Sequence, residues 1–372
     1  MKLLFTDIHQ HNGGGHVTYI LGLLDALRHD HQVTLAAPST SRLYRYASQL
    51  DGVTVVPGAY TSRILTLTAE VARLRRYLAQ QQFDLVHVNA SADHRHVMLA
   101  RLGLNTPPKI VWTKHNLHPL SSFGHKLRAR FGTDGVIAVS DFVHKVLLDS
   151  PYSKLPLYTI RHGIDLTRFQ VASSDEKQRQ RQRFLGPLAD DVLVLGSTGG
   201  TDFDKGWLDL VAAVAKLPPA DQQRIRILVA GDLPDDDRRQ MVATHGLTEN
   251  VIFPGLVDDV RDVLAACDAG FVLSHHEALS YACRESLASG LPTLISDAGG
   301  LPENLEHGVE GWIVPVRNTQ AIADVLKSLL AQPQILPSMG LAARLRSERF
   351  FSMQDFVQNT LGVYQRVLAC GS

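Results

Sequence analysis

Short apolar runs, each closed by turn or polar residues, recur along the first half of the chain: Leu3-Leu4-Phe5, Val33-Thr34-Leu35-Ala36, Val53-Thr54-Val55-Val56, Leu85-Val86-His87-Val88, Ile110-Val111-Trp112 and Val136-Ile137-Ala138-Val139. Runs that are continuously apolar, rather than alternating, belong to strands buried on both faces, as in parallel sheets. Between them, Val17 to Leu27, Ile64 to Leu78 and Phe142 to Leu148 carry helical spacing. The alternation predicts a doubly wound α/β domain. It lapses over residues 161–190, where Ser173 to Arg181 is almost wholly polar and suits an exposed linker or a solvated helix. It then resumes with Val192-Leu193-Val194-Leu195, Ile225 to Val229, Val251-Ile252-Phe253, Gly270 to Leu273 and Pro292 to Ile295. A second Rossmann-like domain is therefore expected. At the end, Phe356, Leu361, Tyr364 and Leu368 are spaced as on an amphipathic helix. The expected division is 1–165 for the first domain, 166–351 for the second, and a helix over 352–372 packing back on the first. In open α/β sheets ligands bind beyond the carboxyl ends of the strands, so two such domains facing each other across a cleft suit a transferase with two substrates.

Composition sharpens this picture. With 372 residues, 45% of them hydrophobic, the chain has material for two cores and is neither disordered nor fibrous. Lys and Arg balance Asp and Glu at 37 each, which gives no reason to expect a nucleic-acid partner. The balance hides an asymmetry: residues 1–170 hold 19 basic against 11 acidic side chains, so the first half is basic and the second acidic. Cys267, Cys283 and Cys370 are too few and scattered for a disulfide framework or a zinc site. No apolar run reaches the length of a membrane span, and Met1 to Asp7 turns polar too early for a signal peptide. The expected setting is cytoplasmic, free or peripheral on the inner face of the cytoplasmic membrane.

The window Ser274 to Pro292 concentrates the chemistry. Glu277 follows an expected buried strand and should begin the next helix, and Glu285 lies eight positions on, a little over two turns, so both carboxylates are expected on roughly one face. Free N–H groups around Ala278, Leu279, Ser280 and Tyr281 would then form a helix N-terminus that favours phosphate. An ordinary capped helix with two solvated acids fits this spacing equally well.

This window resembles the E-x7-E signature of family 4 retaining glycosyltransferases of the GT-B fold, and the resemblance extends over nearly the whole chain. Asp297-Ala298-Gly299-Gly300-Leu301-Pro302-Glu303 with His307 to Gly311 resembles the family's glycine-rich turn. Phe253-Pro254-Gly255-Leu256-Val257 resembles the strand end near the donor base, and Asp204-Lys205-Gly206 the lysine-glycine pair. In the first half, Asn12-Gly13-Gly14-Gly15-His16 resembles the N-terminal glycine loop, Thr113-Lys114-His115-Asn116 the active-site histidine segment, and Ile160 to Asp165 the interdomain turn.

The resemblance implies a metal-independent hexosyltransferase that uses a UDP- or GDP-type sugar, needs no further cofactor, and acts on a hydroxyl of a glycan or glycolipid. Lipopolysaccharide core or another anionic cell-surface polysaccharide is the acceptor that the basic half favours. Glu277 is implied to contact donor sugar hydroxyls and Glu285 the nucleotide ribose, both roles for an acceptor-only carboxylate. Lys205 is implied to neutralise the diphosphate as it leaves, and His115 to position the transferred sugar. Gly14, Gly15, Gly255, Val257, Ala278, Leu279 and Ser280 complete the implied substrate contacts. One departure stands out: many family members carry an arginine five residues before the lysine, where this chain has Gly200. Arg161 and Arg284 are candidates for the second cation.

No metal is expected. Asp235-Asp236-Asp237 reads as a helix start, and His9-Gln10-His11, His94-Arg95-His96 and His275-His276 lack the spacing or third ligand of a zinc site. Two basic clusters, Arg73/Arg75/Arg76 and Lys126/Arg128/Arg130, are candidate contacts to an anionic membrane or a phosphorylated glycolipid. The rival readings are a nucleotide-sugar epimerase on the same frame and a non-catalytic nucleotide-sugar binding protein. A nicotinamide dehydrogenase ranks last because the G-x-G-x-x-G spacing is missing.

Overall fold

The structure, a computed structural model, describes residues 1–61, 63–189 and 191–370, without the side chains of Ile64 and Leu65. Residue contacts divide the chain into two units, Met1–Gly163 with Met353–Ser372, and Ile164–Ser352. Each unit holds one wholly parallel sheet.

In the first unit the strands are β1 (Lys2–Thr6), β2 (Gln32–Ala37), β3 (Val53–Pro57), β4 (Leu85–Val88), β5 (Lys109–Lys114), β6 (Gly135–Ala138) and β7 (Leu157–Thr159). Their order is β3-β2-β1-β4-β5-β6-β7. The six apolar runs of the first half each become a strand. The seventh strand was not legible as a run, because Leu157-Tyr158-Thr159 is a half-buried edge beside β6. β1 lies between β2 and β4, with Leu3 opposite both Val33 and Leu85. The chain thus leaves β1 and β4 toward opposite sides, and the loops after them diverge at a topological switch point.

The second unit repeats the design with β8 (Leu193–Ser197), β9 (Ile225–Ala230), β10 (Val251–Gly255), β11 (Ala269–Val272), β12 (Thr293–Ser296) and β13 (Gly311–Val314), ordered β10-β9-β8-β11-β12-β13. Its switch point lies between β8 and β11. Leu195, Val211, Ile227, Phe271, Leu294 and Ile322 lie in one core cluster around fully buried Trp207. Both units are α/β with doubly wound parallel sheets.

Ser174–Leu185, the polar stretch, is a helix with no buried residue, started by Ser173 accepting from the Glu176 N–H. Asp235 likewise caps the helix Asp236–Thr244 through the Arg238 N–H, and Asp259 caps Val260–Ala265. The terminal helix Met353–Ala369 buries Phe356, Val357, Thr360, Val363, Tyr364 and Val367, while Leu361 and Leu368 are only half-buried. Its ring contacts are with the first unit: Phe356 against Tyr19 at 5.2 Å, and Tyr364, whose hydroxyl lies 2.5 Å from His87 Nδ1. Cys267 and Cys283 are buried, whereas Cys370 is exposed.

Candidate active site

In the second unit, the loops after β8 and β11 bring Lys205 and Glu277 together. The turn Phe203–Lys205 ends on Gly206 at φ +69°, and a Cβ there would stand 1.9 Å from the Leu273 carbonyl oxygen. Only glycine lets the two loops approach this closely. His275 fastens them further: its N–H donates to the Asp204 carbonyl at 2.8 Å, its Nε2 lies 2.8 Å from Asp209 Oδ2, and Arg317 Nη2 faces its Nδ1 at 3.2 Å. Arg317 can only donate, so Nδ1 accepts and Nε2 carries the proton toward Asp209. On this frame Lys205 Nζ reaches Glu277 Oε2 at 3.2 Å, and Ser274 Oγ donates to the same oxygen at 3.3 Å.

The sequence expectation for Glu277 needs correction. The helix begins at Tyr281, not at Glu277, so the two glutamates do not share a helix face. The reason lies at Ser280, which adopts φ +85°, rare for a residue with a side chain, while its Oγ accepts from the Cys283 N–H. Glu277 to Leu279 form an irregular loop held from behind. Gly300 N–H donates to the Glu277 carbonyl at 3.0 Å, and Asn304 Nδ2 donates to the Leu279 carbonyl. A trans peptide points its N–H opposite to its C=O, so these bonds turn the Ala278 and Ser280 N–H groups away from the 300–304 turn. The loop thereby offers backbone donors next to a lysine and a carboxylate.

Glu285 lies in the helix Tyr281–Ala288 and is buried. Burial pushes its carboxyl up to about 7, against the positive charge of Arg168 and the Thr198 hydroxyl, which favour ionisation; Asp259 adds to the rise. A buried carboxylate with this affinity for a proton is prepared to accept from hydroxyl donors. Arg284, by contrast, is no substitute for the missing arginine. It is buried, its Nε donates to Asn304 Oδ1 at 2.9 Å, and its guanidinium lies 4.1 Å from the Phe351 ring centre. Gly200 has φ +93°, a conformation arginine rarely takes. Gly255 ends β10 at φ +78°, Val257 is half-buried, and Ala278 and Leu279 are buried.

In the first unit, His115 follows β5. Its Nε2 lies 3.0 Å from Asn89 Oδ1, and Asn89 Nδ2 donates to the Thr6 carbonyl, so Oδ1 must accept. His115 therefore carries its proton on Nε2 and keeps Nδ1 as an acceptor. Burial holds its pKa well below the ordinary value, and the neighbouring His16, His162, His87 and His9 lower it further, so the ring is neutral near pH 7. Its ring centre is 4.5 Å from that of Tyr19 and 4.4 Å from that of His16. Gly13 and Gly14 both take positive φ where the chain turns into the helix Gly14–Leu27, and Gly14 and Gly15 are exposed.

Arg161 also belongs to this unit and lies 2.5 Å from Asp141 Oδ2. Sequence reasoning missed Lys114, which is buried, donates to Asn116 Oδ1 and the His118 carbonyl, and is held down to about 8 by burial. It missed Asn304, whose role depends wholly on tertiary contacts. It also missed that Asp7, His9 and His16 converge at the end of β1, having paired His9 with His11 instead.

Comparison with known proteins gives the family. The profile of the family described as "Glycosyl transferases group 1" matches residues 178–346, and that of "Glycosyltransferase Family 4" matches residues 13–168. N-acetyl-alpha-D-glucosaminyl L-malate synthase of Bacillus anthracis is 30% identical over 316 residues, which span 83% of this chain and 80% of that protein. D-inositol 3-phosphate glycosyltransferase of Saccharomonospora viridis is 25% identical over 338 residues, 84% of this chain and 77% of that protein. Among solved structures, HepE of Anabaena in complex with UDP superposes with a TM-score of 0.84 at 20% identity, covering 98% of this chain and 100% of that one. The chain belongs to glycosyltransferase family 4 and has the GT-B type of fold.

Proposed function

We propose that this glycosyltransferase moves a hexose from a nucleoside-diphosphate sugar of the UDP or GDP type to a hydroxyl of a glycan or glycolipid, with retention at the anomeric carbon. The observation that carries the reading is the arrangement around Glu277: a lysine 3.2 Å from its carboxylate, on a loop whose Ala278 and Ser280 amides are turned away from the 300–304 turn by bonds to Gly300 and Asn304. A bound diphosphate would exchange with Glu277 for the ammonium of Lys205. That contact strengthens as the leaving phosphate gains charge, which lowers the barrier to transfer. Glu277 is then released toward sugar hydroxyls, and Glu285 accepts from the ribose.

Retention is read from the family resemblance. The departing phosphate oxygen takes the acceptor's proton on the same face, and no protein nucleophile is needed. His115, neutral with Nδ1 as acceptor, positions a hydroxyl rather than removing a proton. Lys205 and the loop amides supply the charge that a metal would otherwise bring to the diphosphate, so no metal is assigned to the transfer step. The acceptor we assign is phosphate-bearing, such as a lipopolysaccharide core or another anionic surface glycan. The basic residues of the first half support this, as does the phosphorylated substrate in the S. viridis relative's name.

A peripheral contact with an anionic membrane on the cytoplasmic side is part of the same proposal. Phe123, Lys126, Arg130 and Phe131 are exposed on one short helix, although Arg128 is buried against His125 and drops out of the cluster. Among the described residues no helix is long and apolar enough to cross a membrane.

The test is a screen of nucleoside diphosphates and their sugars for ligands that raise thermal stability by mass action, followed by transfer assays on Lys205→Ala and Glu285→Ala. Glu285→Ala should weaken nucleotide binding, and Lys205→Ala should mainly slow transfer. Wild-type turnover in both variants would refute the assignment. Tight binding without transfer by the wild type would mark a binding protein instead.

A further inference from the structure

We propose that Asp7, His9 and His16 form a binding site for one divalent transition-metal ion of the zinc class. The three residues lie 2 and 7 positions apart, and the fold brings them together in three steps. Asp7 follows β1 with its side chain fully buried. His9 lies two residues on, and its backbone N–H donates to Asp7 Oδ2 at 3.2 Å. Gly13 and Gly14, both at positive φ, then turn the chain so that His16, in the first helical turn, comes back over the strand end. The turn is tight: a Cβ on Gly13 would stand 2.7 Å from Val17 Cγ2 and 3.4 Å from His9 Cβ.

Asp7 Oδ1 is the hub. It lies 2.9 Å from His9 Nδ1 and 3.8 Å from His16 Nδ1, and the three residues each offer a donor atom such that the set lies within 4.8 Å of one another. Metal-to-ligand bonds of about 2.1 Å in a tetrahedral site put ligand atoms about 3.4 Å apart. The two measured edges bracket that value. The His16 edge is the telling one. At 3.8 Å it is too long for a hydrogen bond, and His16 Nδ1 is a buried atom with no hydrogen-bond partner among the described residues. An ion seated between the three atoms would satisfy that nitrogen.

The donor set argues for the metal class. Two imidazoles and one carboxylate suit zinc and its neighbours, whereas magnesium and calcium prefer all-oxygen shells. The bond from the His9 N–H to the second oxygen of Asp7 fixes the carboxylate, as outer partners of metal ligands do. Three protein ligands leave a fourth position open to water or to an oxygen of a bound molecule. The His16 ring centre is 4.4 Å from that of His115, the residue that the proposed function assigns to positioning a substrate hydroxyl, so the ion would sit beside that group. The ion would also tie the glycine loop to the end of β1.

The test uses the full chain, purified in chelator and dialysed. Zinc is titrated against a chromophoric chelator, and cobalt is used as a spectroscopic substitute whose visible bands are strong in a tetrahedral site and weak in an octahedral surface one. The wild type and His11→Ala, which alters an exposed neighbouring histidine, should each bind one ion per chain with the strong cobalt bands. His16→Ala and Asp7→Asn should lose affinity about 100-fold or more, because outer-shell changes alone cost about 10–100-fold. Zinc should raise the melting temperature of the wild type and not that of His16→Ala. Circular dichroism establishes that the variants are folded, and His16→Ala carries the test if the buried Asp7→Asn is not. The proposal is overturned if wild type and His16→Ala bind zinc equally, if cobalt gives only the weak bands, or if the wild type binds no ion.

Discussion

Replacing Glu285 with glutamine isolates what burial of this carboxyl does to the protein. Its proton affinity is raised from 4.5 to about 7, with burial as the largest cause. An acid whose folded value is raised binds more protons in the folded than in the unfolded chain between those two values. Stability therefore falls as pH rises from about 4.5 to about 7, then levels off. At about 1.4 kcal/mol per pH unit, keeping Glu285 ionised above pH 7 costs the ligand-free protein about 3 kcal/mol. Arg168 and the Thr198 hydroxyl offset part of the burial penalty, and Asp259 adds to it.

Glu285→Gln keeps the shape and removes the titration. Its unfolding free energy should match the wild type near pH 4.5 and exceed it by about 3 kcal/mol at pH 8. Denaturant unfolding of the ligand-free protein at pH 4.5, 6, 7 and 8 measures this, with Trp207 and Trp312 as fluorescent reporters within the same unit. Nucleotide binding should show the reverse. Ribose hydroxyls favour the ionised carboxylate, so wild-type affinity should drop as pH falls below about 7, with proton release detectable by calorimetry in buffers of different ionisation enthalpy. The variant should bind weakly with no such dependence. An unchanged pH slope of stability in Glu285→Gln would refute the reasoning.

Gly206→Ala should remove transfer activity while leaving the first unit folded, because its Cβ meets the Leu273 carbonyl at 1.9 Å and displaces Lys205; a kinetic assay with circular dichroism checks this. Asn304→Ala leaves the Leu279 carbonyl and the Arg284 Nε without their partner. It should cost about 1–3 kcal/mol by denaturant unfolding and weaken donor binding. Gly200→Arg, which supplies the family's arginine in sequence, should not raise turnover and should lose about 1–2 kcal/mol, because position 200 takes φ +93°; higher turnover would show that the backbone adapts.

The strands were legible wherever burial on both faces made the run continuously apolar, as in Leu85 to Val88 or Ile225 to Ala230. β7 and β13 escaped for local reasons. The first is a half-buried edge, and the second opens on Gly311, where a Cβ would stand 2.0 Å from the Thr293 carbonyl oxygen. Spacing put Glu277 and Glu285 on one helix face, whereas the helix begins at Tyr281, because a positive φ at a serine leaves no trace in a hydrophobic pattern. The Asp7, His9 and His16 cluster was illegible for a related reason. Its spacings of 2 and then 7 follow no single helix or strand period, and two glycines at positive φ turn the chain between His9 and His16.

Three features of the second unit that hydrophobic patterning does not show fall together. In the second unit, the strained Ser280, the raised carboxyl of Glu285 and the close approach at Gly206 all lie in or beside the loops after β8 and β11, the strands that flank the switch point. The positive φ of Ser280 and the buried carboxyl of Glu285 cost stability, and bonds from elsewhere hold the two loops: Asn304 on the 278–280 loop, and His275 on the turn carrying Lys205. Strain of this kind persists only where the surrounding contacts hold it, here the cap bond from the Cys283 N–H and the Asn304 bond to the Leu279 carbonyl. The strain at Ser280 and the burial of Glu285, braced by Asn304 and His275, support the proposed site over an ordinary capped helix bearing two acids.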